Sequence, residues 1–214
     1  MDEEAVLGSD NSIQEWSDAV ADATSTPAGG AVAALATALA ASLVAMVAGL
    51  TLKREKYAAV HAHADETLLQ AEQLRSDLLE MATLDAVAVA EYMDALRLPQ
   101  ETEFERTARE AAKRTALVEA ARLQLELLHQ AGEVAELAEG MVGSGLATAI
   151  GDAAAAGLLA AATGRSAYWS IRSNLKAARW PEEARLMLDT AWVVLEQVEG
   201  AELRVQQLLE ERIG

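Results

Sequence analysis

An uncharged stretch from Pro27 to Leu52 dominates the hydrophobic pattern of this 214-residue chain. At helical spacing its large apolar residues fall on one side and its alanines on the other. The two sides are Leu35, Leu39, Leu43, Met46 and Leu50, and Ala34, Ala38, Ala41, Ala45 and Ala48. A helix that is apolar all round is normally surrounded by other helices. The pattern therefore predicts the central helix of a helical bundle.

A membrane-spanning segment is the alternative interpretation, because the stretch is long enough to cross a hydrocarbon core of about 30 Å. It is, however, built on Ala and Gly more than on Leu, Ile and Phe, and no aromatic belt flanks it. Acidic residues at positions 2–4 also occupy the place where a signal peptide would carry positive charge. We therefore expect no membrane association and a cytoplasmic location.

Apolar residues recur at helical spacing along most of the remaining chain. After a polar arm at 1–12, the expected helices cover 13–23, the region before Pro99, 101 to about 141, 153–162 within an acid-poor stretch that ends at 181, and 182–214. A loop at 143–145 is expected to follow the 101–141 helix. The inward side of the 101–141 helix is expected to carry Phe104, Ala108, Ala111, Thr115, Val118, Leu125 and Leu128. The prediction is an all-α bundle of about five to seven long helices around a buried Ala/Leu-rich central helix, in one domain spanning 1–214.

The last helix, over 182–214, has a continuous apolar stripe. The stripe consists of Ala184, Leu188, Ala191, Leu195, Val198, Ala201, Val205 and Leu208. Steps of three and four residues favour a packed helix with an acidic back, and the same stripe could supply a dimer interface.

Composition narrows the function. The chain has no Cys, which excludes thiol catalysis and cysteine metal sites, and its net charge is −17, which makes nucleic acid an unfavourable partner. Within this acidic chain the segment 153–181 has no Asp or Glu but contains Arg165, Arg172, Lys176 and Arg179. Such asymmetry indicates a local preference for anionic ligands.

The residues around the central helix resemble a known family. Ser25–Leu35 (STPAGGAVAAL) and Met46–Thr51 (MVAGLT) are similar to the signature P-G-G-G-S-V-A-A-L…M-V-A-N-L-T of the cyclodeaminase/cyclohydrolase family. This family comprises the C-terminal domain of formiminotransferase-cyclodeaminase and stand-alone bacterial methenyltetrahydrofolate cyclohydrolases. Further similar stretches are 85–89 (DAVAV) with Leu98-Pro99, 149–153 (AIGDA) and 171–175 (IRSNL).

The resemblance implies an all-α homodimer that acts on a reduced folate, in mono- or polyglutamylated form, without a metal or other cofactor. The expected reaction is hydrolysis of 5,10-methenyltetrahydrofolate to 10-formyltetrahydrofolate, and the alternative is formiminotetrahydrofolate cyclodeamination. Ala28 and Ala31 stand where the signature has glycine and serine, and other polar positions also differ. A diverged, non-catalytic helical binding module is therefore a second alternative.

Both reactions pass through a cationic, amidinium-like carbon, which a buried carboxylate could stabilise while it transfers protons. Asp152 is the first candidate because it is the only charge between Glu139 and Arg165, although it could also be the N-cap of a helix starting at Ala153. Asp85 is the second candidate, with a solvated face or a salt bridge as the structural alternative.

The remaining candidates are cations and backbone groups. Lys56 is the third catalytic candidate, although Lys53 and Lys56 also suit the negative end of the central helix. The expected substrate-binding residues are Gly29, Gly30, Lys53, Arg172, Asn174 and Lys176. The Gly-Gly turn is included because free N–H groups at a helix start favour an anionic or carbonyl-bearing ligand.

Overall fold

A computed structural model describes residues 7–8 and 10–213, and all regular secondary structure in these ranges is helical. Six α-helices carry the fold, and two short 3-10 helices, Glu55–Val60 and Ala147–Ala149, precede α3 and α5. The α-helices are α1 (Ile13–Ala21), α2 (Gly29–Leu52), α3 (His61–Arg97), α4 (Glu103–Ser144), α5 (Ile150–Ala177) and α6 (Ala184–Ile213). The predicted all-α bundle is confirmed.

Helices α2 and α4 are the central pair among the five long helices. Helix α4 contacts α2, α3, α5 and α6, while α2 lies between α3 and α5. Near its start α2 meets α5 through Ala33 and Thr163, and near its end the Thr51 hydroxyl accepts a hydrogen bond from Leu146 N–H at 2.9 Å. Helices α2 and α5 are therefore antiparallel, and the second half of α5 runs past the start of α2.

Helix α2 is buried along its alanine side and half exposed along its leucine side. Ala34, Ala38, Ala41 and Ala48 are buried against the other helices, whereas Leu39 is 51% exposed. Helix α2 and the segment 147–177 are long and apolar enough to cross a membrane, but more than half of each apolar window is buried within the bundle. Burial of this extent is typical of core helices in a bundle.

The inward face expected for the start of α4 is wrong. Phe104 is 83% exposed, and Ala108, Ala111 and Thr115 are exposed as well. Burial begins only at Ala116, because Ala111 and Thr115 line an open cleft opposite the end of α5. Periodicity identifies a face of a helix, but it does not show where the neighbouring helices begin.

Two helix ends and one helix surface also differ from expectation. Helix α1 ends at Ala21, and residues 143 and 144 belong to α4 instead of a loop. The apolar stripe of α6 is covered by α4 and α5, with Ala191, Val198 and Val205 fully buried. The α6 stripe is therefore part of this chain's own core and supplies no dimer interface.

The loose arm expected at 1–12 lies partly outside the described residues. The described residues of this segment contact the bundle. The Thr83 hydroxyl donates to the Leu7 carbonyl at 3.4 Å, and the Trp16 indole donates to the Gly8 carbonyl at 3.3 Å. These contacts attach the segment that precedes α1 to α1 itself and to α3.

Candidate functional site

A buried carboxylate meets the start of α2. Asp85, on α3, is 8% exposed, and its Oδ2 accepts a hydrogen bond from Ala31 N–H at 2.9 Å. Its Oδ1 accepts a hydrogen bond from the Gln124 side-chain amide on α4 at 2.8 Å. We call Gly29, Gly30, Ala31, Asp85 and Gln124 the Asp85 site. Three helices thus converge on one carboxylate.

The local sequence of α2 explains why this carboxylate lies here. The N-cap residue is Ala28, whose side chain cannot accept a hydrogen bond, so the first N–H groups of α2 lack a local partner. Asp85 supplies a negative charge and an acceptor at the positive end of the helix dipole. One of the N–H groups expected to be free for a ligand is therefore bound by the protein's own carboxylate.

Gly30 makes room for this arrangement. A Cβ atom at Gly30 would lie 2.1 Å from Asp85 Oδ1 and 2.3 Å from Gln124 Nε2, closer than any such contact allows. A Cβ atom at the preceding Gly29 would meet nothing within 4 Å. Gly30 is thus required for packing of the site, whereas Gly29 is exposed and leaves open space beside it.

Burial also sets the acid–base behaviour of the site. It raises the pKa of the Asp85 carboxyl above its ordinary value, while the hydrogen bonds from Ala31 and Gln124 oppose the rise. Gln124 Oε1 is buried and has no hydrogen-bond partner among the described residues. A carboxyl of raised pKa and an unpaired amide oxygen are together suited to proton transfer and to binding a polar donor.

A second buried polar pair ties α5 to α2 next to the site. The Thr37 hydroxyl donates to the Ala33 carbonyl at 2.8 Å, and its oxygen lies within hydrogen-bond distance, 2.7 Å, of the Thr163 hydroxyl oxygen. Thr37 lies seven residues, or about two helical turns, beyond Gly30. The pair fixes the position of α5 relative to the helix start that binds Asp85.

The structure divides the nine sequence-predicted site residues between the two ends of α2. Gly29, Gly30 and Asp85 lie at its start. Three of the predicted residues follow Thr163 on α5: Arg172, Asn174 and Lys176. Because α5 runs antiparallel to α2, they lie toward that same end.

Lys53, Lys56 and Asp152 lie at the opposite end. Lys53 follows α2 directly, Tyr57 OH accepts a hydrogen bond from Ala147 N–H at 3.1 Å, and Asp152 stands in the first turn of α5. Ala31 and Lys53 are 22 residues apart on α2, which is about 33 Å. One chain cannot bring both groups to one small ligand.

Asp152 is not the helix cap that its sequence suggested. Helix α5 begins at Ile150 with Ala149 as the N-cap residue, and Asp152 is exposed within the first turn. The alternatives considered for Asp85, a solvated face or a salt bridge, are also wrong, because this carboxylate is buried and has no ion pair among the described residues. Asp152 is thus exposed although no other charged residue lies near it in the sequence.

Arg172 is exposed on α5 and packs against aromatic rings. Its guanidinium lies 5.8 Å from the ring centre of Tyr168 and 5.2 Å from that of Trp169. Asn174 is half buried and Lys176 is exposed. No group of three or more His, Asp or Glu side chains within 7–8 and 10–213 is placed to hold a metal ion.

Sequence reasoning missed Gln124, Thr37 and Thr163, which are all buried polar residues. A signal for Gln124 was present. It stands between Ala121 and Leu128 at helical spacing, so it is a polar residue on an otherwise apolar inward face.

Comparison with known proteins places the chain in a family. A family model described as formiminotransferase-cyclodeaminase matches residues 12–190, most of the chain. The chain belongs to this family. A methenyltetrahydrofolate cyclohydrolase from Methylorubrum extorquens is 35% identical over 170 residues, covering 79% of this chain and 82% of the relative.

Two more family members extend the comparison. The formimidoyltransferase-cyclodeaminase of Mus musculus is 26% identical over 171 residues, and this chain spans only 31% of its length. The crystal structure of formiminotetrahydrofolate cyclodeaminase from Thermotoga maritima superposes with a TM-score of 0.85 at 26% identity, covering 96% of this chain and 98% of that one. The bundle is therefore the family fold along nearly the whole chain.

Proposed function

We propose that this chain is a folate one-carbon enzyme that hydrolyses 5,10-methenyltetrahydrofolate to 10-formyltetrahydrofolate, with Asp85 as its catalytic carboxylate. The observation that carries the proposal is the buried Asp85, held by Ala31 N–H and Gln124. The similarity to a methenyltetrahydrofolate cyclohydrolase over 82% of that protein's length supports this choice of reaction.

The reaction needs a base, a counter-charge and a proton donor in turn. Water adds to the cationic carbon between N5 and N10 and loses a proton, which gives a carbinol. The carbon–N5 bond then breaks as N5 gains a proton and the carbinol O–H loses its proton, which leaves the formyl group on N10. One proton is released overall. An ionised Asp85 stabilises the cation and accepts the proton of the attacking water, and its raised pKa lets it return that proton to N5.

The other residues of the Asp85 site orient the reacting groups. Gln124 fixes one carboxylate oxygen, and its unpaired Oε1 can accept a hydrogen bond from the substrate or the attacking water. Gly29 provides an open approach to the helix start. Arg172, Asn174 and Lys176 border the same end of the bundle and remain proposed substrate contacts.

Replacement of signature residues does not remove the central interaction. Ala31 stands where the family signature has serine, yet it donates to Asp85 through its backbone N–H. A backbone donor is present whatever the side chain, and the side chain of Ala31 is fully buried. This favours an active enzyme over a non-catalytic binding module.

Cyclodeamination is the second candidate, and the Thermotoga maritima superposition favours it. It would use the same carboxylate, because closing a formimino group onto N10 with loss of ammonia also requires proton transfer at an amidinium-like carbon. The substrates distinguish the two reactions, since hydrolysis consumes methenyltetrahydrofolate and cyclodeamination releases ammonia from formiminotetrahydrofolate.

We further propose that the protein is a cytoplasmic homodimer and that the leucine side of α2 forms the interface. This side carries Leu39 and Met46 at 51% and 41% exposure, and 29–52 contains no charged residue. In a chain of net charge −17, two copies repel each other least across an uncharged surface. Burial of this side on a second copy would complete the core around α2.

The direct test is incubation of purified protein with each substrate. Absorbance of methenyltetrahydrofolate should fall faster than in buffer alone, and ammonia release from formiminotetrahydrofolate should be slower or absent. Ammonia release as the main activity would instead establish the cyclodeaminase. A decay of methenyltetrahydrofolate equal to that in buffer, with no ammonia released, would contradict both enzymatic proposals.

A further inference from the structure

A cleft of about 410 Å³ lies between the first half of α4 and the turn that joins α5 to α6. Its charged lining consists of three cations, Lys113, Arg114 and Arg179, and one carboxylate, Glu110. Lys113 donates to Glu110 at 2.7 Å, and Arg179 lies 3.7 Å from the same carboxylate. Three cations thus line the cleft beside one acid, and two of them pair with it, which leaves local positive charge in a chain of net charge −17.

The backbone at the end of α5 holds one of these cations in an unusual conformation. Arg179 and Trp180 have φ values of 61° and 53°, a left-handed region in which glycine is the usual residue. Trp180 N–H donates to the Leu175 carbonyl at 2.9 Å and so closes the last turn of α5. Glycine at position 179 would relieve the backbone but would provide no charge to the cleft.

The cleft lies on the same helix faces as the Asp85 site. Tyr92, in its lining, is seven residues after Asp85 on α3, and Leu117 is seven residues before Gln124 on α4. Seven residues make about two turns, so each pair shares a face and is separated by about 10 Å along the bundle. Tyr92 packs against the cluster that contains Leu117, so α3 and α4 remain in contact at the cleft.

We propose that this basic cleft binds the γ-linked glutamate tail of a folate whose one-carbon unit lies at the Asp85 site. The inference rests on the proposed function. In a folate, a rigid p-aminobenzoyl group separates the one-carbon unit from the first glutamate, a spacing of the same order as the distance between the two sites. Each added glutamate brings one more carboxylate, and arginine binds carboxylates in a bidentate manner.

This assignment changes the cations that contact the tail. Lys53, expected from the sequence to bind substrate, and Lys56, the third catalytic candidate, lie at the other end of α2. Arg172 packs over Tyr168 and Trp169 and does not line the cleft. Lys113, Arg114 and Arg179 are the tail-binding residues that the geometry supports.

The test compares mono- and tri-γ-glutamyl methenyltetrahydrofolate as substrates of the full chain. Wild type should have a lower KM for the triglutamate than for the monoglutamate. Arg114→Gln and Arg179→Gly should each raise the triglutamate KM about fivefold, the upper range for an exposed charge pair, with kcat unchanged. Arg179→Gly is suited to folding because glycine accepts the positive φ. Arg75→Gln, an exposed cation elsewhere on α3, is the matched control and should change neither constant.

A binding measurement separates failure of this inference from failure of the proposed function. Calorimetry with p-aminobenzoyl-tri-γ-glutamate, which has no reacting carbon, should show binding to wild type and to Arg75→Gln and about fivefold weaker binding to either cleft variant. Binding without any turnover would contradict the enzyme and leave the cleft assignment intact. Turnover with equal KM for both tail lengths, or equal peptide affinity in all four proteins, would overturn the cleft assignment.

Discussion

The backbone N–H of Ala31 and the carboxylate of Asp85 form a buried hydrogen bond of 2.9 Å between residues 54 positions apart. The bond joins α3 to the start of α2, where Ala28 provides no side-chain cap. It also fixes the orientation of the carboxylate that we propose as the catalytic group. The interaction that completes a helix start therefore also positions the site.

Gly29 and Gly30 should respond differently to the same substitution. Gly30→Ala places a Cβ 2.1 Å from Asp85 Oδ1, so the site must shift; we expect a loss of about 1–3 kcal/mol in the free energy of unfolding and a large loss of turnover. Gly29→Ala meets nothing within 4 Å and should fold like wild type. Urea denaturation and turnover, measured on the same preparations, provide the test. Equal behaviour of the two variants would contradict the packing described for Gly30.

Asp85 should make stability depend on pH in a defined direction. Its pKa is raised in the folded protein, so folding favours the protonated form. Its contribution to stability is therefore fully present below the unfolded pKa of about 3.9 and is lost as pH rises through the folded pKa. The difference in unfolding free energy between wild type and Asp85→Asn should follow this course, since most other groups titrate alike in both proteins. A difference that is constant or increases with pH would contradict a raised pKa.

The dimer interface can be tested by adding one charge to α2. Leu39→Lys places a cation on the exposed leucine side of α2, where burial against a second copy would be costly. We expect sedimentation to give a dimer for wild type and the 22.6 kDa monomer for this variant. Leu203→Lys, at a 59% exposed position on α6, is the control and should remain dimeric. Wild type that is monomeric at tens of micromolar would disprove the dimer.

The sequence predicted α2 well because burial of an uncharged helix depends on local composition. Its bounds, 29–52, agree with the expected 27–52 to within two residues, and its alanine side is the buried one. The inward face of α4 was less predictable, because exposure of Phe104 depends on where other helices begin. Helix type follows from local periodicity, whereas the extent of packing follows from tertiary structure.

The site was less predictable than the fold. Asp152 was preferred over Asp85 because it has no charged neighbours in sequence, yet it is exposed and Asp85 is buried. Burial of Asp85 results from contacts with Ala31 and Gln124, which are 54 and 39 positions away. Periodicity could have identified Gln124 as an inward polar residue, but it could not pair that residue with Asp85.

The central claim is that the Asp85 carboxylate carries the reaction. Asparagine at position 85 can accept from Ala31 N–H and donate to Gln124 Oε1 once that amide rotates, so the fold should be kept. Asp152→Asn is the matched control, with the same chemical change on an exposed carboxylate at the other end of the bundle. Circular dichroism melting should confirm that both variants are folded before their activities are compared.

The deciding measurement is kcat for methenyltetrahydrofolate hydrolysis by wild type and both variants, corrected for decay in buffer. We expect Asp85→Asn to lower kcat by about 10²–10⁴-fold, the usual effect of removing a positioned acid–base group, and Asp152→Asn to retain the wild-type value. A folded Asp85→Asn variant with wild-type kcat, or loss of turnover in Asp152→Asn alone, would contradict the assignment of catalysis to Asp85.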